Sequence, residues 1–129
     1  MIVILCGKSG AGKDRIMKDF IKRVAATPIV SYTTRPMREG EKNHREYHFV
    51  TKDAFKDLLS ANKFSEVREY HTLVGGNPDV WSYGSPIVNP RSRLYVTILD
   101  MQGTQEYIDF YGKDNCFVVY VNVSDDERE

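Results

Sequence analysis

Ile2-Val3-Ile4-Leu5-Cys6 is an unbroken apolar run closed by Gly7, the pattern of a strand buried on both faces. Beyond it the period changes to that of a helix. Ile16, Met17, Phe20, Ile21 and Val24 fall on one face, while Arg15, Lys18, Asp19, Lys22 and Arg23 fall on the other, so the helix is predicted to pack on a sheet. Thr27-Pro28 ends it, and Ile29 to Thr33 reads as a second strand. From Thr34 to Arg45 the chain is polar, carries Pro36, Gly40 and Asn43 and has no hydrophobic period, which predicts a long exposed loop of the kind that tends to be functional. Tyr47 to Val50 is a short strand. Thr51 is placed to cap a helix through about Asn62 with Phe55, Leu58 and Leu59 inward, and Phe64 to Tyr70 is extended. Between His71 and Val80, Gly75-Gly76-Asn77-Pro78 reads as an excursion between two strands, after which Trp81 to Tyr83 resumes the sheet. Pro86 to Arg93 has too much Pro and Asn for a helix. Leu94 to Leu99 is a buried strand ending at Asp100, Tyr107, Ile108 and Tyr111 mark a helix stopped by Gly112, and Cys116 to Val123 is a last strand. Strands alternating with helices at both ends predict an α/β fold with a parallel sheet. The closely spaced middle strands predict a small mixed or antiparallel subdomain.

At 129 residues the chain suits one domain, residues 1–129, able to bury about 65% of its unfolded surface. Its core is expected at 1–33 and 86–129, with the subdomain at about 34–85. Lys plus Arg and Asp plus Glu number 18 each, for a net charge of zero, and the two signs are interleaved. Such a chain has no field to draw it to nucleic acid or to an anionic membrane, so any affinity for phosphate must be local. Cys6 and Cys116 lie in apolar runs without metal-ligand spacing, which makes them reduced thiols of a cytoplasmic protein. Met1 leads straight into the five-residue apolar run, too short for a signal sequence, and no later run approaches the ~20 residues of a membrane span. His44, His48 and His71 show no ligand spacing. Nothing in the pattern sets an oligomeric state.

The chemistry begins between the first strand and the first helix. Gly7 to Lys13 read GKSGAGK, a glycine-rich loop in the order strand, loop, helix that suits a nucleotide polyphosphate. Ser9, Gly10, Ala11 and Gly12 would offer backbone N–H groups to ATP phosphates, and Lys13 would reach the terminal ones. Such loops place Ser or Thr after the lysine to ligate Mg²⁺; here the residue is Asp14. Asp14 has two readings. It is a first-turn carboxylate that complements the helix dipole, or a hard oxygen ligand that alters how Mg·ATP binds.

A second set of motifs follows in order: Ser31-Tyr32-Thr33-Thr34-Arg35-Pro36-Met37-Arg38-Glu39-Gly40-Glu41, then Tyr47-His48-Phe49-Val50, Phe64-Ser65-Glu66, Tyr83-Gly84-Ser85 and Asp100-Met101-Gln102-Gly103. Together with the loop they resemble the guanylate kinase family, P-loop nucleoside monophosphate kinases, collinearly from residue 2 to about residue 123. The residues themselves suit that chemistry. Arg35 and Arg38, three apart on a polar loop, provide forked donors for a phosphate dianion. Glu66, if ionised, accepts both N1–H and the 2-amino group of guanine, whereas adenine presents a lone pair there. The resemblance implies that Tyr47 and Tyr83 complete the GMP phosphate cluster and that Ser31 and Ser85 donate to guanine O6. It also implies that Gly84 sits among the GMP-binding residues and that Asp100 faces the guanine amine and the metal. Taken singly, each has a plainer reading: solvated loop charges, strand aromatics, an exposed carboxylate, a helix cap.

The implied fold is a three-layer P-loop architecture around a parallel sheet, with an inserted GMP-binding subdomain. The implied function is transfer of the γ-phosphoryl of ATP to GMP or dGMP, with Mg²⁺ accompanying ATP, Lys13, Arg35 and Arg38 catalytic, and Asp14 and Asp100 as candidate metal ligands. The chain departs from the family pattern at Asp14, at a longer segment from Glu66 to Tyr83, at a shorter one from Ser85 to Asp100, and at Ile98, where many relatives carry an acid. Ser124 to Glu129 resembles only the start of the helix that precedes the family's arginine-bearing lid, so the lid is expected to be missing. Two alternatives stand beside the kinase: a catalytically weak or inactive guanylate-kinase-like binding module, and a kinase for another nucleoside monophosphate.

Overall fold

The structure, a computed structural model, describes residues 1–7 and 12–121. Its first elements are β1 (Ile2–Gly7), α1 (Lys13–Val24), β2 (Thr27–Pro28), β3 (Tyr32–Thr33), β4 (His48–Phe49) and α2 (Lys52–Ser60). They are followed by β5 (Phe64–Val74), β6 (Asn77–Pro86), β7 (Tyr95–Leu99), α3 (Met101–Tyr111) and β8 (Cys116–Val121). Two compact units result, Met1–Ile29 with the chain from Val88 on, and Val30–Ile87.

The first unit is built on an all-parallel sheet of order β2-β7-β1-β8. Alternation along β1 divides its side chains between two faces. Val3 and Leu5 pack with Val96, Ala26 and with Met17, Phe20 and Ile21 of α1. Ile2 and Ile4 pack with Tyr107 and Tyr111 of α3. The two helices therefore cover opposite faces, giving the expected three layers. Two residues assigned to the inner stripe of α1, Ile16 and Val24, are exposed. Ile16 lies about 100° around the helix from Met17, and Val24 is the final helical residue, before Ala25 turns left-handed at φ 53. Cys6 is buried and Cys116 only partly so.

Of the strand predicted over Ile29 to Thr33, only Tyr32–Thr33 is strand; Ile29 to Ser31 connects β2 of one sheet to β3 of the other. Thr27–Pro28 pairs with Tyr95–Val96, and the Ile29 N–H donates to Val96 O at 3.0 Å, whereas Tyr32–Thr33 pairs with β4 and β6. Pro28, predicted only to stop the helix, sits in β2, an edge strand where a missing donor is tolerated.

In the second unit the sheet order is β4-β3-β6-β5, with β3 and β4 parallel and the rest antiparallel. The predicted excursion at His71 to Val80 is instead part of a hairpin, paired without a break from Glu66↔Ser85 to Val74↔Asn77, with a register shift between Glu66 and the outlying pair Phe64↔Pro86. Gly75 and Gly76, at φ 57 and 82, make the two-residue turn whose twist matches the strands. The hairpin escaped the hydrophobic pattern because its outer half is solvated: Tyr70, Leu73 and Val74 are exposed. α2 starts where predicted, with Thr51 Oγ1 accepting from Ala54 N–H at 3.1 Å, and closes through Asn62 at φ 55. Phe55 is its buried residue; Leu59, predicted inward, is exposed. Phe55 stacks on Phe64 at 4.8 Å, and Phe64 in turn fills the space a side chain at Gly84 would take, since a Cβ there would lie 2.8 Å from the ring. Gly84→Ala is expected to displace Phe64 and to lower stability by about 1–3 kcal/mol, the usual result of overpacking, measurable as a shifted urea midpoint.

Among the described residues no helix is long and apolar enough to cross a membrane. Ser124 to Glu129, where the start of a further helix was expected, lies outside the described residues, as do Asn122 and Val123 at the end of the last predicted strand.

Candidate functional site

The predicted phosphate loop lies between β1, which ends at Gly7, and α1, which begins at Lys13. Gly12 is the N-cap of α1 in the left-handed region at φ 80, and its carbonyl accepts the first helical bond from Ile16 N–H at 3.1 Å. Lys13 Nζ donates to Gly7 O at 2.6 Å, so its ammonium lies over the end of β1. Ser9, Gly10 and Ala11 lie outside the described residues. Asp14 is exposed in the first turn of α1. Asp100 caps α3, with Oδ1 accepting from Gly103 N–H at 2.7 Å and its carbonyl accepting from Thr104 Oγ1 at 2.7 Å. Both carboxylates stand at the N-termini of helices that follow strands of the parallel sheet. Among the described residues no group of three or more His, Cys, Asp or Glu side chains could hold a metal ion. Hard carboxylate oxygens suit Mg²⁺, which takes one or two of them together with phosphates and water.

In the second unit the pairing of β6 gathers the predicted acceptor residues. Glu66 lies opposite Ser85 and Arg68 opposite Tyr83, so these four side chains share one face of the sheet. Ser85 is buried and its Oγ donates to Glu66 Oε1 at 3.2 Å. Ser31 Oγ lies 3.4 Å from Ser85 Oγ, which joins three predicted purine-reading residues in one hydrogen-bonded chain. Arg68, unremarked in the sequence reading, donates from Nε to Glu66 Oε2 at 3.3 Å.

The predicted phosphate cluster starts two residues away on the same face. Tyr47 and Tyr83 rings are 5.7 Å apart, and the Arg35 guanidinium lies 5.3 Å from the Tyr47 ring and 5.5 Å from Phe49. The predicted exposure of the loop fails at Arg35, which is 5% exposed. Its backbone explains why. Arg35 N–H donates to Thr33 Oγ1, which itself donates to Ser82 O, and Thr34 N–H also bonds Ser82 O, so the loop begins pinned to β6. Arg35 Nη1 and Nη2 then donate to both oxygens of Glu41, at 3.0 and 2.8 Å, and Nη1 to Pro36 O at 3.1 Å. Arg38 is exposed, and its backbone N–H donates to Glu41 Oε1 at 2.7 Å.

These contacts set the local acidities. The bond from Arg35, then that from the Arg38 backbone, holds the Glu41 carboxyl down to about 2. Glu41 reciprocally raises Arg35. Burial, followed by the neighbouring Tyr83, pushes the Tyr47 hydroxyl up, so it stays a proton donor at neutral pH. Because the folded value of Glu41 lies below its ordinary 4.5, the carboxylate stabilises the fold above about pH 4.5, and that contribution drains away as pH falls toward 2. Melting temperatures of the wild type and Glu41→Gln are therefore expected to differ most above pH 4.5 and to converge near pH 2.

Sequence reasoning missed two relations besides that of Arg68. Glu41 has no role legible in its motif, although its position three residues after Arg38 puts it in the same tight turn. His44 and His48 show no ligand spacing in the sequence, yet their Nδ1 atoms are 2.6 Å apart, with His44 at φ 71. A left-handed residue inside a loop leaves no periodic signal.

A family model described as Guanylate kinase matches residues 1–77. The guanylate kinase of Helicobacter hepaticus is 42% identical over 114 residues, covering 86% of this chain and 54% of that protein. That of Novosphingobium aromaticivorans is 35% identical over 127 residues, covering 94% and 52%. The chain thus spans about half the length of these curated relatives. A crystal structure of guanylate kinase from Anaplasma phagocytophilum shares the fold at a TM-score of 0.63 and 23% identity, over 93% of this chain and 58% of that one. The extent of the family match, which takes in the phosphate loop, both arginines, Tyr47 and Glu66, establishes that this chain belongs to the guanylate kinase family.

Proposed function

We propose that the chain transfers the γ-phosphoryl of ATP to GMP or dGMP, giving GDP or dGDP and ADP. The observation that carries this reading is one sheet face on which the Ser31, Ser85 and Glu66 chain adjoins the Arg35, Tyr47 and Tyr83 cluster. The first set matches the Watson–Crick edge and O6 of guanine; the second matches a phosphate dianion, with exposed Arg38 adding charge. Gly84 supports both by letting Phe64 pack beneath the strand.

Lys13 and the N–H groups of Ser9, Gly10, Ala11 and Gly12 hold the donor's β- and γ-phosphates. Mg²⁺, when bound with ATP, neutralises charge on those phosphates; Asp14 and Asp100 are the carboxylates offered to it. A GMP phosphate oxygen attacks the γ-phosphorus in line, the bond to the β-phosphate oxygen breaks, and ADP carries away the electron pair. Arg35 and Arg38 screen the acceptor's charge so that two anions can meet. No general base is required, because the acceptor is already ionised. We place the chain in the cytoplasm, with Cys6 and Cys116 as thiols and small nucleotides rather than nucleic acid or membrane as partners.

Asp14, in place of the usual hydroxyl, favours a second reading, a module that binds GMP without turnover. A coupled assay with ATP, Mg²⁺ and GMP, run beside calorimetric titration with GMP, separates the two. ADP formation that requires GMP and is not supported by AMP is the expected result. GMP binding without ADP formation establishes the module, and ADP formation with AMP at the same rate establishes a different monophosphate kinase.

A further inference from the structure

We infer that Glu41 is a positioning residue that aims Arg35 and the Arg38 turn at the acceptor phosphate, an inference that rests on the GMP-site reading above. One carboxylate gathers both arginines of the loop, taking two bonds from the Arg35 guanidinium and one from the Arg38 backbone N–H. The turn is closed by Glu41 N–H donating back to Arg38 O at 3.1 Å. A guanidinium has five N–H donors. Glu41 and Pro36 O take three of them, which leaves the Nε–H and one Nη2 hydrogen for an incoming anion. The Tyr47 and Phe49 rings fix the tilt of the guanidinium plane, while Glu41 fixes its rotation within that plane. Arg35 is buried, so without Glu41 its charge would stand uncompensated and its fork unaligned.

Positioning and simple charge balance predict opposite signs. Glu41→Gln adds one net positive charge beside the phosphate, so if the carboxylate acted only as a counter-charge, GMP would bind more tightly. A glutamine also turns an NH₂ group toward donors that need an acceptor, so if the carboxylate aligns the fork, GMP binds less tightly. Calorimetric titration of the full chain and its Glu41→Gln variant with GMP and with guanosine reads the sign. The expected result is a roughly ten- to hundredfold weaker Kd for GMP, by analogy with the loss of a partner that orients a metal ligand, with guanosine unchanged. Glu41→Asp, which keeps the charge, is expected to fall between the two. Unchanged or tighter GMP binding overturns the inference, as does an equal loss for GMP and guanosine, which marks a structural role only. A wild type that binds guanosine as tightly as GMP, or binds neither, overturns the phosphate-site reading itself. Should Glu41→Gln fail to fold, the Arg35 Nε–H resonance of the wild type decides. A slowly exchanging signal that shifts with GMP but not with guanosine supports positioning, and one exchanging like free arginine overturns it.

Discussion

Glu66→Gln is expected to reduce the preference for GMP over AMP, as the ratio of kcat/KM values, by about 10- to 100-fold. A carboxylate presents only acceptors, and guanine offers N1–H and the 2-amino group side by side, so both bonds are charge-assisted. Adenine turns the N1 lone pair toward the same oxygens and is repelled. Glutamine keeps one acceptor and replaces the other by an NH₂ donor. It therefore loses one bond to guanine and can rotate to donate to adenine N1. A hydrogen bond to a charged group is worth about 1.5–3 kcal/mol, which gives the stated range. The surroundings argue that the amide will not simply reorient to restore both bonds, since Ser85 Oγ–H and Arg68 Nε–H already donate to the two oxygens. A glutamine must leave one of those donors without its acceptor. If GMP and AMP keep their wild-type ratio in the variant, Glu66 does not read the base.

That prediction depends on a juxtaposition only half visible in the chain. Glu66, Ser85 and Ser31 could be named from their motifs, but Ser31 and Ser85 are 54 positions apart and meet only because β6 pairs with β3 on one side and β5 on the other. Elements whose ends are set by neighbours in sequence were legible: β1 from its apolar run, α2 from Thr51, α3 from the Asp100 cap and the Gly112 stop. Elements set by tertiary demands were not. Ile29 to Thr33 reads as one strand because nothing local records that the chain passes there from the end of β2 in one sheet to β3 in the other. The outer hairpin has the turn glycines but little burial to impose an alternating pattern. Arg35 shows the same limit in the site. Its charge marks a polar loop, and only the partner six residues on, with two aromatic rings, makes its burial tolerable.

Lys13→Ala is expected to lower kcat by about 10²- to 10³-fold while leaving GMP affinity within about twofold of wild type. The ammonium donates to Gly7 O at 2.6 Å, a bond between a charge and a neutral dipole. A polyphosphate offers full negative charge and would outcompete that carbonyl, so on the kinase proposal the lysine changes partners when ATP binds. Charge that develops on the γ- and β-phosphate oxygens during transfer is then met by a fixed cation, and losing one such stabiliser raises the barrier by about 2.7–4 kcal/mol. The fold has little reason to object. Lys13 is the first residue of α1, alanine is a strong helix former, and Gly7 O can be met by water. GMP affinity should hold because Ser31, Arg35, Tyr47, Glu66 and Ser85 all belong to the second unit, whereas Lys13 belongs to the first. Lys13→Arg tests the geometry: it keeps the charge but spreads it over a planar fork in place of a compact ammonium, so it should recover little of the rate. Turnover unchanged in Lys13→Ala would remove the glycine-rich loop from the mechanism. Turnover lost together with GMP binding would instead mean that the two halves of the chain fold interdependently, and the rate effect could then no longer be assigned to the ammonium.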